Sequence, residues 1–352
     1  MTDVQYDADL HGRSFAQMQV FYTAQKKQFE PLSYEFLIAF GQSALREGRI
    51  RQAIERTREA ISRAQTSRER SEAYLYLCRM YRVMLHMNNA RSELHRAFDE
   101  LRIPEPASRL SALLKALVFA VFDPRRPFAR VLDTIDAEEV ARRYALIMGL
   151  YVESGLSSYY LRKFVPFLQA SLWSRVVFLF GPPAAKAEWA GGTGTVLAVL
   201  HFKSASDRLL NLTEDIARDI GSASVQAKTQ IWRALSADYF GDPMRSAELF
   251  SKLAHERAQD LSTEDLGIVC TTLSNNYVIR GHTEESLRAI EALFTEYDRS
   301  CTLFFSCRKT FVEWYKIPAL SFHGQNEEVE TIIKTSRGIF SSVDEEKWQV
   351  AQ

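Results

Sequence analysis

The stretch YEFLIAFGQSALREGRIRQAIERTREAISR, residues 34 to 63, is the segment from which the fold is predicted. Two helical patterns flank a turn at Glu47-Gly48-Arg49. The apolar and small residues are Leu37, Phe40, Gly41 and Ala44 in the first pattern, and Ile50, Ala53, Ile54, Ala60 and Ile61 in the second. Residues at these spacings share one face of a helix, and small side chains let two helices approach closely. The stretch therefore predicts a helical hairpin.

Similar spacings return in segments that begin near Ser71, Gln226, Gly267 and Thr310. The matching positions are Cys78, Tyr81, Ala90 and Ala97 in the first of these, and Ser274, Tyr277, Gly281 and Ser286 in the third. In the second, Ser236 and Tyr239 match, whereas Ala247 and Ala254 fall one residue early. Further turns are expected at Gly241-Asp242-Pro243 and at His323-Gly324-Gln325. The pattern resembles the tetratricopeptide repeat, a pair of helices that buries its apolar face by stacking on its neighbours.

The fold class that this resemblance implies is all-α, an α-solenoid of tetratricopeptide-like hairpins with an irregular helical middle section. We expect N-terminal hairpins over residues 1–105, the irregular section over 106–225 and C-terminal hairpins over 226–352, together forming one continuous solenoid. Helices of the middle section are predicted over residues 106–121, 136–153, 157–180 and 204–220.

The segment from Leu156 to Phe180 is rich in aromatic residues. Pro166 is expected to kink the helix that contains them. The first interpretation is a central helix that packs on several sides. The alternative is an aromatic-lined groove or the surface of a homodimer.

Composition excludes several classes of partner. Lysine plus arginine and aspartate plus glutamate number 44 each, so no global field attracts nucleic acid or an anionic membrane, and the partner need not be strongly charged. The four cysteines lack a CxxC pair, and the N-terminus lacks an apolar signal core, so a reducing cytoplasm is expected. Apolar runs such as LVFAVF near residue 120 are shorter than the about 20 residues that cross a bilayer.

No motif predicts catalysis, a cofactor or a metal site. The seven histidines lie apart and outside any HExxH or HxH pattern. Asp136, Glu138 and Glu139 are interpreted as charges that favour a helix N-terminus. The glycine-rich run at residues 190–195 lacks the lysine and hydroxyl residue that end a phosphate loop, so we expect a flexible connection there.

The first two hairpins are rich in arginine, which would suit nucleic acid. Glutamates are interleaved with these arginines, several at helical spacing, and pairing between them weakens the local field. The interleaved pattern therefore argues against nucleic-acid binding.

The resemblance also implies which residues contact a ligand, because the first helix of each hairpin lines the concave surface of such a solenoid. The residues expected to face a bound peptide are Gln42, Arg79, Arg82, Arg233 and Asn275. Guanidinium groups bind carboxylates through two parallel hydrogen bonds, so Arg79 and Arg82 are expected to pair with acidic groups of the ligand.

The sequence thus predicts a cytoplasmic, non-enzymatic interaction or adaptor protein. It would hold a peptide or a helical segment of a signalling or regulatory protein in its concave groove. The alternative is a ligand- or peptide-sensing regulator, in which binding changes the curvature of the solenoid and controls a transcription or kinase partner.

Overall fold

The chain is helical throughout the part that the structure describes. The computed structural model describes residues 15–27, 32–46, 49–83, 86–133, 136–161, 163–261, 263–300 and 312–340. Within these ranges it contains α-helices and short 3-10 helices and no strand. The predicted all-α class is confirmed.

The α-helices follow one another with mostly short connections. In chain order they are α1 (Phe15–Lys27), α2 (Tyr34–Arg46), α3 (Ile50–Arg63), α4 (Ser67–Val83), α5 (Met87–Leu101), α6 (Leu110–Phe122), α7 (Ala129–Leu132), α8 (Ala137–Tyr160), α9 (Phe164–Trp173), α10 (Arg175–Phe180), α11 (Pro183–Val199), α12 (Lys203–Ile220), α13 (Ala223–Tyr239), α14 (Pro243–Glu256), α15 (Thr263–Ile279), α16 (Thr283–Ser300), α17 (Ile317–Phe322) and α18 (Asn326–Phe340).

Two compact units are present. The segment that ends at Glu105 belongs to the first, and Pro106–Glu296 with Thr310–Ile339 forms the second. In the first unit α2 packs on α3, α3 on α4 and α4 on α5. In the second unit α11 packs on α12 and α13, and α14 packs on α13 and α15. Most of these contacts therefore join helices that follow each other in the chain.

Four turns of the second unit share one backbone conformation. They join α11 to α12, α13 to α14, α15 to α16 and α17 to α18, with positive φ at His201 (60°), Gly241 (78°), Gly281 (77°) and Gly324 (71°). In each turn this residue donates its N–H to the carbonyl three residues earlier, and the next residue donates to the carbonyl five residues earlier. Such hydrogen bonds satisfy the last carbonyls of a helix and stop it.

Two turns of the first unit contain the same hydrogen bond to the carbonyl five residues earlier. Arg49 donates its N–H to the carbonyl of Ala44, between α2 and α3, and His86 donates to the carbonyl of Tyr81, between α4 and α5. The structure confirms the predicted turns at 241–243 and 323–325. It also confirms the turn that includes Arg49, although Glu47 and Gly48 lie outside the described residues.

Small residues lie where paired helices touch. Ala44, Ala53 and Ala60 are fully buried, and a Cβ atom on Gly41 would lie 2.8 Å from Oγ1 of Thr57 on α3. In the pair α4 and α5, the fully buried small residues are Cys78, Ala90 and Ala97. In the pair α15 and α16, the hydroxyls of Ser274 and Ser286 are 2.7 Å apart. These predicted small positions are therefore contact positions.

The glycine-rich run is not a connection, and that prediction was wrong. Residues 190–195 lie inside α11, where a Cβ atom on Gly191 would lie 1.9 Å from the Trp232 ring on α13. A Cβ atom on Gly194 would lie 3.0 Å from Leu210 on α12. The absence of a side chain lets two other helices approach α11 closely. Glycine acts here in packing and not in flexibility.

The aromatic segment forms separate helices and not the single kinked helix that was predicted. The break lies between the end of α8 at Tyr160 and the start of α9 at Phe164. Pro166 lies in the first turn of α9, where its missing N–H costs no helical hydrogen bond. Some aromatic residues are buried, as Trp173 is, whereas Tyr159 and Phe164 are about half exposed.

The two central glycines of α11 provide a matched test. Gly191→Ala should destabilise the protein by about 1–3 kcal/mol, because the added methyl group overlaps the Trp232 ring. Gly192→Ala should leave stability unchanged or raise it by about 0.5–1 kcal/mol, since nothing lies within 4 Å of its Cβ position. Urea unfolding followed by circular dichroism measures both, and equal midpoints would contradict this packing.

A histidine near the end of the first unit provides a pH test. The side chain of Glu105 accepts a hydrogen bond from Nδ1 of His95 at 2.6 Å and raises the pKa of His95 above its usual 6.5. Because the folded-state pKa is raised, this pair stabilises the fold fully below the unfolded pKa and loses its effect as pH rises through the folded pKa. NMR titration should show the raised pKa, and Glu105→Gln should lower it more than Asp99→Asn does.

Candidate functional site

The most unusual surface of the second unit is an exposed apolar face on α6. The helix reads LSALLKALVFAVF and contains one charged residue, Lys115. Its exposed apolar side chains, with their exposed fractions, are Leu110 (64%), Leu114 (58%), Leu117 (47%), Val118 (53%), Val121 (53%) and Phe122 (81%). We refer to these six residues as the α6 face.

The helical repeat explains why these side chains lie together. Residues separated by three, four, seven or eleven positions share one side of a helix. The opposite side carries Ala116 and Ala120, which are buried. The ring of Phe119 lies 5.9 Å from that of Trp173 on α9. One side of α6 is therefore packed on the second unit, and the other projects from it.

A buried glutamine fixes the entry to α6. Nε2 of Gln169 donates to the carbonyl of Ala107 at 2.6 Å, and its Oε1 accepts the N–H of Ala107 at 3.0 Å. The Gln169 side chain on α9 is fully buried. A two-way hydrogen bond of this kind satisfies both backbone groups away from water.

An arginine fixes the other end of α6. Nη1 of Arg175 donates to the carbonyl of Ala120 at 2.8 Å, in the last turn of the helix. A cation at this position also interacts favourably with the negative end of the helix dipole. Because α9 and α10 hold both ends, the α6 face has a fixed orientation within the second unit.

Aromatic side chains of neighbouring elements pack against α9. The ring of Phe128 is buried and lies 6.5 Å from Trp173 and 6.1 Å from Tyr151 of α8, in edge-to-face geometry. Nε1 of Trp189 on α11 donates to the carbonyl of Ser171 on α9 at 3.0 Å. The residues beneath α6 thus form a rigid base.

The energy available at the α6 face is large. Full burial of a leucine, valine or phenylalanine side chain contributes about 1.5–3 kcal/mol. Because these side chains are about half exposed, covering each one would contribute about 1 kcal/mol more. Contiguous exposed apolar patches of this kind mark interaction surfaces on folded proteins.

The five residues predicted from the resemblance lie in both units. Arg79 and Arg82 lie one turn apart on α4, and Gln42 lies half-buried on α2. Arg82 is 8% exposed, and both arginines interact with neighbouring groups of the chain. Asn275 is exposed on α15.

Arg233, the fifth predicted residue, already binds acidic side chains of its own unit. On α13 its guanidinium contacts Glu214 at 2.8 Å and Asp207 at 3.5 Å, and it donates to Asn211 at 2.6 Å. All three partners belong to α12. A ligand carboxylate would therefore have to compete with groups that fasten α12 to α13.

The expected charge pairing in the first unit is present. The pairs are Arg56 with Glu59 at 2.6 Å, Arg68 with Glu72 at 3.0 Å, and Arg70 with Glu100 at 2.8 Å. The interpretation of the acidic cluster at α8 is also confirmed, since the Asp136 carboxylate accepts the N–H of Glu138 at 3.0 Å.

No protein-family model matches the chain, and no curated protein matches it. Among the described residues, no group of three or more histidine, cysteine, aspartate or glutamate side chains is arranged to hold a metal ion. None of the helices in the described ranges has the length and apolar character needed to cross a membrane.

The sequence predicts a helix at residues 106–121 but does not show that one side of it is exposed. The available signal was its composition, since a helix that is apolar on every side must be buried on every side or bind a partner. The structure decides between these, because only Ala116 and Ala120 of this helix are buried.

The role of Gln169 can be tested directly. Gln169→Ala should destabilise the protein by about 1–3 kcal/mol, because it leaves the N–H and carbonyl of Ala107 without their partner. Amide exchange of α6 should increase in the same variant. Gln226→Ala, which removes a half-buried glutamine of α13, should change stability by less than about 0.5 kcal/mol. Equal exchange of α6 in the two variants would show that Gln169 does not hold the helix.

Proposed function

We propose that this chain is a non-enzymatic interaction protein that binds a helical segment of a partner protein on the α6 face. The observation that carries the proposal is a rigidly held helix with six large apolar side chains on its exposed side. Burial of such side chains is the main favourable term in protein association. The groups that hold α6 lower the cost of binding, because a preorganised surface loses little conformational freedom.

A helix is the ligand that fits this surface best. The face runs along the 13 residues of α6, and a helical ligand presents apolar residues at matching spacings. Two helices bury such rows by packing the ridges of one into the grooves of the other. The remaining surface of the partner can then stay polar.

The repeat architecture belongs to the same proposal. In six pairs, a turn with the same backbone hydrogen bond joins the two helices. In three of these pairs, the two helices contact each other through small residues at the predicted positions. These features support a tetratricopeptide-like solenoid, and we propose with it that the protein acts in the cytoplasm on a signalling or regulatory protein. Gln42, Arg79, Arg82, Arg233 and Asn275 remain predictions for a second contact area.

Site-specific crosslinking tests the proposal. A photoreactive residue in place of Leu114 should crosslink to a protein in a lysate of the source cells, at a peptide that is amphipathic when drawn as a helix. The same residue in place of Met244, which is 59% exposed elsewhere in the unit, should not crosslink to that peptide. Mass spectrometry of the crosslinked peptides gives the result.

Binding of the mapped segment as a synthetic peptide completes the test. Leu117→Ser should weaken its affinity about tenfold, because a contact worth about 1.4 kcal/mol is lost. Met244→Ser should leave the affinity unchanged. An affinity that is the same in the wild type and in Leu117→Ser would exclude the α6 face as the binding surface.

A further inference from the structure

The charges around the α6 face are mostly positive. Arg109 precedes α6, Lys115 lies on it, and Arg125 and Arg126 follow it. All four side chains are exposed, and we refer to them as the basic frame. Over residues 109–126 the only acidic residue is Asp123, whose carboxylate accepts the backbone N–H of Arg126 at 3.3 Å.

The basic frame differs from the arginines that pair with carboxylates of the chain. Six arginines that are paired with glutamates are Arg56, Arg68, Arg70, Arg142, Arg143 and Arg233. Within the residues that the structure describes, no ion pair involves a member of the basic frame. Unpaired cations therefore lie beside the exposed apolar side of α6.

One member of the frame is held in place by an aromatic ring. The guanidinium of Arg125 lies 5.1 Å from the centre of the Phe180 ring, which is itself 45% exposed. Stacking on a ring restricts the guanidinium plane while its N–H groups can still bind an anion. A carboxylate is bound well by such a group, through two parallel hydrogen bonds.

We propose that the occupant of the α6 face is an acidic amphipathic helix of another protein, with an apolar stripe flanked by aspartate or glutamate. This inference rests on the proposed function and adds the charge of the ligand to it. Charge complementarity carries it, because a partner of opposite sign is attracted and a basic partner is repelled.

The same charges disfavour a second copy of this chain. Two α6 faces packed together about a two-fold axis would bring the basic frames close to each other. The chain carries one acidic residue in this region to offset four basic ones.

A displayed library of helices tests the charge of the ligand. The helices are about five turns long, with leucine fixed at i, i+4, i+7 and i+11 and the flanking positions varied among glutamate, glutamine and lysine. Selection on the full chain should enrich glutamate. Selection on the variant with Arg109→Glu, Lys115→Glu and Arg126→Glu should enrich lysine.

A selected acidic helix should bind the wild type about tenfold more tightly than its lysine version, and this difference should be smaller at high salt.

The outcomes separate the inference from the proposed function. Equal recovery of acidic and basic helices, with loss of both in Leu117→Ser, would overturn the acidic ligand and leave the helix-binding function standing. If the wild type recovers no more helices than Leu117→Ser does, both the acidic ligand and the helix-binding function would be overturned. Binding to phosphatidylserine vesicles in preference to every helix, or a dimer in sedimentation that Leu117→Ser dissociates, would also overturn the acidic helix as the occupant.

Discussion

The three-residue turn between paired helices is the constraint on which the rest of the fold depends. In six pairs the second helix begins four residues after the first ends, and one backbone hydrogen bond closes each turn. A connection this short forces the two helices to lie side by side. The residues at their contact must then be small, which is why Ala44, Ala53 and Ala60 have no exposed surface. Turn length and core composition are two consequences of one geometry.

The exposed side of α6 follows from the absence of that constraint. This helix begins nine residues after α5 ends, so it is not the second helix of a tight-turn pair. Its position depends instead on later residues, through the buried amide of Gln169, the ring of Trp173 and the guanidinium of Arg175. These contacts all reach α6 from one side. A helix held from one side keeps its other side available, and here that side is apolar.

The sequence was informative where the cause of a structure is local. Helical spacing and a turn within 30 residues predicted the pair α2 and α3, because the contacting residues, such as Gly41 and Thr57, belong to the same segment. It was uninformative where the cause is distant. Glycines are common in connections, and only Trp232, far along the chain from Gly191, shows that this one permits close packing. The sequence shows that α6 is apolar. It does not show which side of α6 is covered, because Gln169 and Trp173 determine that side.

Electrostatics shows the same difference between global and local properties. Equal numbers of acidic and basic residues predict no long-range field, and that argument treats every charge alike. At physiological ionic strength a partner senses exposed charges only within about 8 Å, so the sum over the chain says little about one surface. A paired arginine such as Arg233 is largely neutralised by Glu214 and Asp207. The unpaired cations near α6 are not neutralised in this way, and their field acts on any molecule that approaches the apolar side chains. A chain of zero net charge can thus select a charged partner, provided that its unpaired charges lie where burial supplies the affinity.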